Sequence, residues 1–282
     1  MRRSTDRAAD GLHGVAESCL FTLNARACES RRADALFHDP VAERIVARLA
    51  LDTSRYDRDW LTQTGVAIRT EILDHAVRDF VAKYPRAVVV NLGAGLCTRF
   101  FRIDDGTLDW VDIDDPAVIE LRQRLIDTPA RCHLLTASIL RDEWRTDVLR
   151  LATGRPLLFI AEGVLQYFEP PEVQRLLTSL AENFPEAEAL VEAISPLAMA
   201  ASRWQPSLRA VGVRARWGIG RASTIEDWSP RIRVVDAIFY DRHLVRWRWL
   251  RRFHWVPAVR KLMQIVHLRF APHSRSAGAT SS

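Results

Sequence analysis

The chain of 282 residues has only four cysteines, Cys19, Cys28, Cys97 and Cys132, and no two are spaced as Cys-x-x-Cys. That spacing leaves out the usual signatures of a zinc site or a disulfide framework, and reduced, mostly buried thiols are expected. No run of about 18 apolar residues is present to span a bilayer. Met1-Arg2-Arg3 leads into polar residues rather than the apolar stretch of a secretory leader. A cytoplasmic protein is expected. There is no internal repeat, and no Gly-x-x-x-x-Gly-Lys-Ser/Thr loop of the kind that cradles nucleoside triphosphates.

What is present is apolar sequence in alternating patterns. Hydrophobic residues make up 48% of the chain, enough for a full core. Residues 1–10 are polar and are expected to fray, as are residues 273–282, rich in Ser, Ala, Gly and Thr. Residues 11–85 read as an N-terminal helical cap. Within it, Asp39-Pro40 is an N-cap followed by a first-turn proline, ahead of Val41, Ile45, Val46 and Leu49, and a second helical pattern covers 66–81. From 86 to 195, strands expected at 87–92, 108–113, 133–136, 157–161 and 189–194 alternate with helices opened by Asp115-Pro116 and Pro170-Pro171. This predicts an α/β fold, a doubly wound, Rossmann-like and mostly parallel sheet. The region 196–272 completes it, with a further strand over 231–240 and a helix over 243–253.

The first strand ends in Asn91-Leu92-Gly93-Ala94-Gly95, and Asp114 follows Gly93 by 21 residues, at the end of the second strand. A glycine turn lets backbone N–H groups approach a ligand, and an acid about 20 residues on can accept ribose hydroxyls. A tight β-to-α turn in any α/β protein would also give Gly-x-Gly. The dinucleotide fingerprint needs a third glycine at position 98, where Thr98 stands. Without a pyrophosphate to cradle, S-adenosylmethionine is the better candidate, since its sulfonium favours carboxylates around it. The fourth strand runs straight into Glu162-Gly163, and a carboxylate at the end of a buried strand is costly unless paired or used. Asp112 shares a strand face with Asp114. Near the third strand, Ser138 and Asp142 are offered for an adenine, or for capping the helix expected over 142–151.

The net charge of +5 conceals an asymmetry: from Arg203 onward there are 16 Lys+Arg against 4 Asp+Glu, leaving −7 for residues 1–202. Six of the nine tryptophans also fall in that basic segment. Three readings stay open for it. Arginines can snorkel around buried tryptophans, an anionic or aromatic small molecule can bind there, or nucleic acid can.

Ile68-Arg69-Thr70, the stretch from Val90 to Phe100, Trp110-Val111-Asp112-Ile113-Asp114-Asp115-Pro116 and Ala161-Glu162-Gly163-Val164-Leu165 together resemble the leucine carboxyl methyltransferase family. Its bacterial branch includes O-methyltransferases of polyketide biosynthesis. The similarity extends from Thr22-Leu23-Asn24-Ala25-Arg26 to about Pro196. The resemblance implies a class I S-adenosylmethionine-dependent methyltransferase. In it Arg69 would hold the methionine carboxylate, Gly93 and Gly95 would line the methionine and ribose, and Asp114 would take the ribose hydroxyls. Asp142 would meet adenine and Glu162 would sit near the amino-acid end. The family usually carries Asp where this chain has Cys97, and its bacterial members often place an acid where Arg141 stands; Asp142 follows one residue later.

Methyl transfer is an in-line displacement, so the protein mainly positions the acceptor and excludes water. A carboxylate acceptor is ionised at neutral pH and needs no base, whereas a phenol benefits from one; Tyr167 and His243 are the conceivable bases. Carboxyl or acidic-hydroxyl O-methylation of a small, anionic or aromatic acceptor is the leading expectation. The cap and the basic, Trp-rich segment would roof the acceptor. A nicotinamide-dependent oxidoreductase and a nucleic-acid-binding protein are the alternatives.

Overall fold

The computed structural model describes residues 18–49, 59–210, 212–243, 256 and 260–272. Three helices come first: α1 (Ser18–Ser30), α2 (Pro40–Leu49) and α3 (Trp60–Lys83). The sheet strands are β1 (Val88–Leu92), β2 (Asp109–Asp114), β3 (Cys132–Thr136), β4 (Leu157–Ala161), β5 (Glu188–Ile194), β6 (Ile232–Phe239) and β7 (Met263–Phe270). Between the strands lie α4 (Phe100–Ile103), α5 (Pro116–Leu125), α6 (Arg145–Leu151), α7 (Pro170–Asn183) and, after β5, α8 (Pro196–Ala201) and α9 (Pro206–Ala210).

The strands pair in the order β3-β2-β1-β4-β5-β7-β6. The first five are parallel, and β7 runs antiparallel to both β5 and β6. From β1 the chain winds outward through β2 to β3, then returns to place β4 on the other side of β1. The carboxyl ends of β1 and β4 therefore flank the switch in strand order, where an open α/β sheet leaves a crevice for ligands.

Strands β1 and β4 are buried along their whole length, which is why they read as continuous apolar runs rather than as an alternation. On one face Val88, Val90, Phe159 and Val191 pack with Trp144 and with Val173, Leu177 and Phe184 from α7 and its end. On the other, Val89, Leu158, Ile160 and Leu190 pack against Ile68, Ile72, Leu73 and Val77 of α3. Two helix-to-strand turns are built alike. Tyr84-Pro85-Arg86 precedes β1 and Phe184-Pro185-Glu186 precedes β5, with Arg86 and Glu186 both in the left-handed region at φ 60° and 67°. In each, the aromatic residue caps the preceding helix through its backbone N–H, to Phe80 O and Leu180 O respectively.

Asp39 caps α2 as the sequence implies, accepting from Ala42 N at 2.9 Å. Helix α3 begins six residues before the expected 66, because Asp59 provides an N-cap by accepting from Thr62 N at 3.1 Å. The 142–151 helix shortens to Arg145–Leu151. Strand β6 answers the expectation over 231–240, and β7 has no counterpart in the sequence reading. Beyond His243, the helix expected over 243–253 lies outside the described residues.

Trp144 is the keystone of the α7 face: it stacks on Phe184 at 6.1 Å and meets Phe159 edge-on at 6.3 Å, with 2% of its surface exposed. Trp144→Ala is expected to cost about 3–5 kcal/mol of stability, the range for removing a large buried aromatic. Urea unfolding followed by circular dichroism checks this through the transition midpoint.

Candidate active site

At the β1–β4 switch point the chain forms a cavity of about 120 Å³. Its floor is Gly93, Ala94 and Gly95 from the β1 turn and Glu162, Gly163 and Val164 from the β4 end; Asp114 closes one side, Arg69 another, and α1 contributes Ser18, Cys19, Thr22 and Arg26. The four α1 residues fall on one helical face, so a single amphipathic turn pattern delivers the wall. Gly93 has φ +68°, and a Cβ there would lie 2.6 Å from Val164 Cγ2. Only glycine lets the two loops at the switch point approach this closely.

The cavity wall is backed by an unbroken line of buried charges. Arg26 lies 3.3 Å from Asp39 Oδ2, misaligned for a hydrogen bond, and Asp39 also pairs with Arg102 at 2.7 Å. Arg102 and Arg99 both grip Asp74, each through its Nε at 2.7 Å. Arg99 continues to Glu162 Oε2 at 2.9 Å, Arg69 Nε meets Glu162 Oε1 at 2.8 Å, and Arg69 Nη1 meets Glu192 Oε2 at 3.1 Å. Four arginines and four carboxylates alternate, so their formal charges cancel. Pairing is what makes the burial tolerable, since an isolated ion in such surroundings is costly.

The charge line sets the protonation of its members. Burial alone would raise the Glu162 pKa, but Arg99 and Arg69 outweigh it and hold the carboxyl down at about 2. For Asp39 and Asp74, too, burial is opposed and overcome by arginines, chiefly Arg102, leaving both below the usual carboxylate range. Asp114 goes the other way: burial raises it, against hydrogen bonds from the Gly95 and Asp115 backbone N–H groups. Burial pushes the Cys19 thiol up to about 12, and burial also raises the Tyr167 phenol.

Of the six residues singled out from sequence, Arg69, Gly93, Gly95, Asp114 and Glu162 are brought together around the cavity. Asp114 Oδ2 accepts from Gly95 N at 2.7 Å, so the acid and the glycine loop hold each other. Asp142 is not brought there: its side chain is 77% exposed and pairs with Arg145 at 2.8 Å, three residues on in the chain. Asp112 shares its strand with Asp114 but is fully buried and spent on structure. It accepts from Asn91 Nδ2 and Trp110 Nε1, each at 2.8 Å, and pairs with Arg122, whose Nη1 in turn binds the Gly95 and Cys97 carbonyls at 2.9 Å. Cys97, where the resembled family has an acid, lines the cavity with Arg99 Nη1 3.7 Å from its sulfur.

Sequence reasoning passed over Arg26, Arg99 and Glu192. For Glu192 a signal existed, an acid amid the apolar Ala189-Leu190-Val191-Glu192-Ala193-Ile194 strand. For Arg26 the one signal was its place in the Thr22–Arg26 stretch where the family similarity begins; its chemistry gave none, because an arginine on a helix usually faces water.

The donor set suits the expected cofactor. Arg26 and Arg69 both line the cavity, so a carboxylate can be met there by guanidinium donors. Glu162 can meet an ammonium, and Asp114 a ribose diol. Fold and site together define a class I S-adenosylmethionine-dependent methyltransferase.

Comparison with known proteins agrees. The model of the leucine carboxyl methyltransferase family matches residues 19–181, and the chain belongs to that family. It is 33% identical over 226 residues to the tetracenomycin polyketide synthesis O-methyltransferase TcmP of Streptomyces glaucescens, covering 80% of this chain and 83% of TcmP. It is 25% identical over 272 residues to the S-adenosyl-L-methionine-dependent methyltransferase dpfgK of Gibberella zeae, covering 88% and 91%. A Thermobifida fusca methyltransferase candidate of known structure superposes with a TM-score of 0.58 at 16% identity, covering 92% of this chain and 95% of that one. S-Adenosylmethionine is thus the methyl donor, and the nicotinamide alternative is set aside. No helix among the described residues is long and apolar enough to cross a membrane.

Glu162 carries a pH signature. Its folded pKa of about 2 lies below the ordinary 4.5, so its stabilising contribution is complete above pH 4.5 and is lost as pH falls toward 2. Glu162→Gln leaves Arg69 and Arg99 short of a counter-charge, and the loss expected at pH 7 is about 3–5 kcal/mol. Thermal unfolding at stepped pH should show the gap between wild type and variant narrowing from pH 4.5 downward; a constant gap would refute the pairing.

Proposed function

We propose that the enzyme transfers the methyl group of S-adenosylmethionine to an oxygen of a small anionic or aromatic metabolite, a carboxylate or an acidic hydroxyl of polyketide type. The observation that carries this reading is the joining of the glycine loop, Asp114, Arg69 and Glu162 around one cavity in a chain of this family. In this reading Arg69 holds the cofactor's carboxylate, Glu162 its ammonium, Asp114 its ribose hydroxyls, and Gly93 and Gly95 allow the close approach. The cofactor supplies an electrophilic methyl on a sulfonium. The protein aligns the acceptor oxygen and keeps water out.

The chemistry of the wall favours an acceptor that arrives ionised. Among the described residues no histidine lines the cavity, and the Tyr167 phenol, raised by burial, stays protonated at neutral pH. His243's side chain lies outside the described ones. An acceptor whose oxygen is already anionic, as a carboxylate or an acidic enol or phenol is, fits a wall of this kind.

An apolar rim stands at the same end of the sheet. Trp60 and Leu61 open α3, Leu197 lies on α8 and Trp204 just beyond it; all four are large and exposed, Trp204 to 68%. Gln205 Nε2 donates to Thr62 Oγ1 at 2.6 Å and joins the two elements, while the Arg203 guanidinium lies over the Trp204 ring at 5.2 Å. Flat apolar groups with an arginine beside them suit an aromatic acid. TcmP, named for O-methylation in polyketide synthesis, points the same way.

Two experiments test the reading. Calorimetry should show S-adenosylmethionine binding to wild type that weakens at least about tenfold in Asp114→Ala and in Arg69→Ala, a loss of about 1.4 kcal/mol or more each; unchanged affinity in both would overturn the site. Transfer of a labelled methyl group to a metabolite panel should favour aromatic acids and give a base-labile ester, or a base-stable ether from an acidic hydroxyl. Preference for cationic or neutral aliphatic acceptors would count against it.

A further inference from the structure

We propose that Glu192 and Tyr240 are positioning residues that fix the Arg69 guanidinium for the cofactor's carboxylate. The inference rests on the reading of Arg69 given above and extends it to two residues that touch neither cofactor nor acceptor.

Glu192 lies within β5, on the side of the sheet that faces α3, and is 4% exposed. Each of its oxygens is engaged. Oε2 accepts from Gly163 N at 2.6 Å and from Arg69 Nη1 at 3.1 Å, and Oε1 accepts from the Tyr240 hydroxyl at 2.7 Å. Tyr240 stands one residue past the end of β6 and is 2% exposed. Neither residue lines the cavity. One carboxylate thus ties together the arginine, the backbone N–H next to Glu162 and a tyrosine from the C-terminal part of the sheet.

The two carboxylates on Arg69 are not equivalent. Glu162 takes the Nε edge and lines the cavity, so it can share itself with an incoming ammonium. Glu192 takes the Nη1 edge from behind and has no access to the cavity. It is the fixed anchor about which the fork is set, leaving the Nη2 edge without a hydrogen bond among the described residues. Gly163 sits against this fork at φ +65°; a Cβ there would lie 3.0 Å from Nη1 and 3.1 Å from Nη2. A side chain at 163 would therefore crowd the fork, and glycine leaves it room.

Tyr240 supplies the remaining constraint. Burial, reinforced by Glu192, keeps its phenol protonated far above the usual tyrosine range, so the hydroxyl is a permanent donor. Without it, Oε1, already 3.4 Å from Arg69 Nη1, is free to turn toward the arginine, and the fork pivots away from the position in which it meets a carboxylate.

The test compares two ligands that differ only in the amino-acid tail's presence: S-adenosylhomocysteine, which carries the carboxylate, and methylthioadenosine, which lacks it. Calorimetry on full-length Tyr240→Phe should show S-adenosylhomocysteine weakened about five- to tenfold, the scale of one typical net hydrogen bond. Methylthioadenosine affinity should match wild type. In turnover, the KM for S-adenosylmethionine should rise with kcat nearly unchanged, and Glu192→Gln should show the same pattern more strongly. Equal weakening of both ligands, or of neither, would overturn the proposal, and Tyr240→Phe decides the matter if Glu192→Gln fails to fold. Arg69→Gln run in parallel separates the two claims: if it leaves S-adenosylhomocysteine binding intact, the reading of Arg69 fails, whereas if it weakens binding and Tyr240→Phe does not, only the positioning role fails.

Discussion

The structure depends on one buried line of alternating charge, running from Arg26 through Asp39, Arg102, Asp74, Arg99, Glu162 and Arg69 to Glu192. These residues come from α1, the α2 cap, α3, the helix after the glycine loop, and the strands β4 and β5. The apolar contacts between these elements bury area but are non-directional. The charge pairs are directional, so they fix how the N-terminal helices sit on the carboxyl edge of the sheet. Replacing such buried ion pairs with well-packed apolar residues is often neutral for stability; what it would remove here is a pair of arginines and a carboxylate lining one cavity.

This explains why cavity-wall residues and scaffold residues cannot be cleanly separated here. Glu162 is both a counter-ion for two arginines and the carboxylate of the cavity wall. Asp114 both holds Gly95 N and faces the cavity. Asp112, two residues earlier, does a purely structural task by locking Arg122 onto the carbonyls of the glycine loop. Two neighbouring acids on one strand thus have different roles, decided by which lies at the strand's open end.

Much of this was legible in sequence wherever a residue violated its surroundings. The turn Gly93-Ala94-Gly95 interrupts a β-branched run, and Glu162 ends an apolar strand; both are anomalies that demand a reason. The five parallel strands were legible because each is short, apolar and bounded by turn residues. Glu192 violates its strand just as Glu162 does, but its use depends on Arg69 and Tyr240, which lie far away in the chain. Asp39 was read as a helix cap and is one; its second oxygen, which meets Arg102, has no local signature. Strand β7 was illegible because its pairing with β5 and β6 is antiparallel and long-range, and the basic, tryptophan-rich sequence around it masks the alternation. Asp142 is the one of the six residues singled out from sequence that does not line the cavity: it is exposed and lies in a local i,i+3 pair with Arg145.

The central claim is that Arg69 and Glu162 act on the cofactor as a coupled unit set by this charge line. A double-mutant cycle on S-adenosylmethionine affinity, using Arg69→Gln, Glu162→Gln and the double variant, measures that coupling directly. The account requires strong non-additivity, with a coupling energy above about 1 kcal/mol and the double variant little worse than either single one. Additive losses would contradict it.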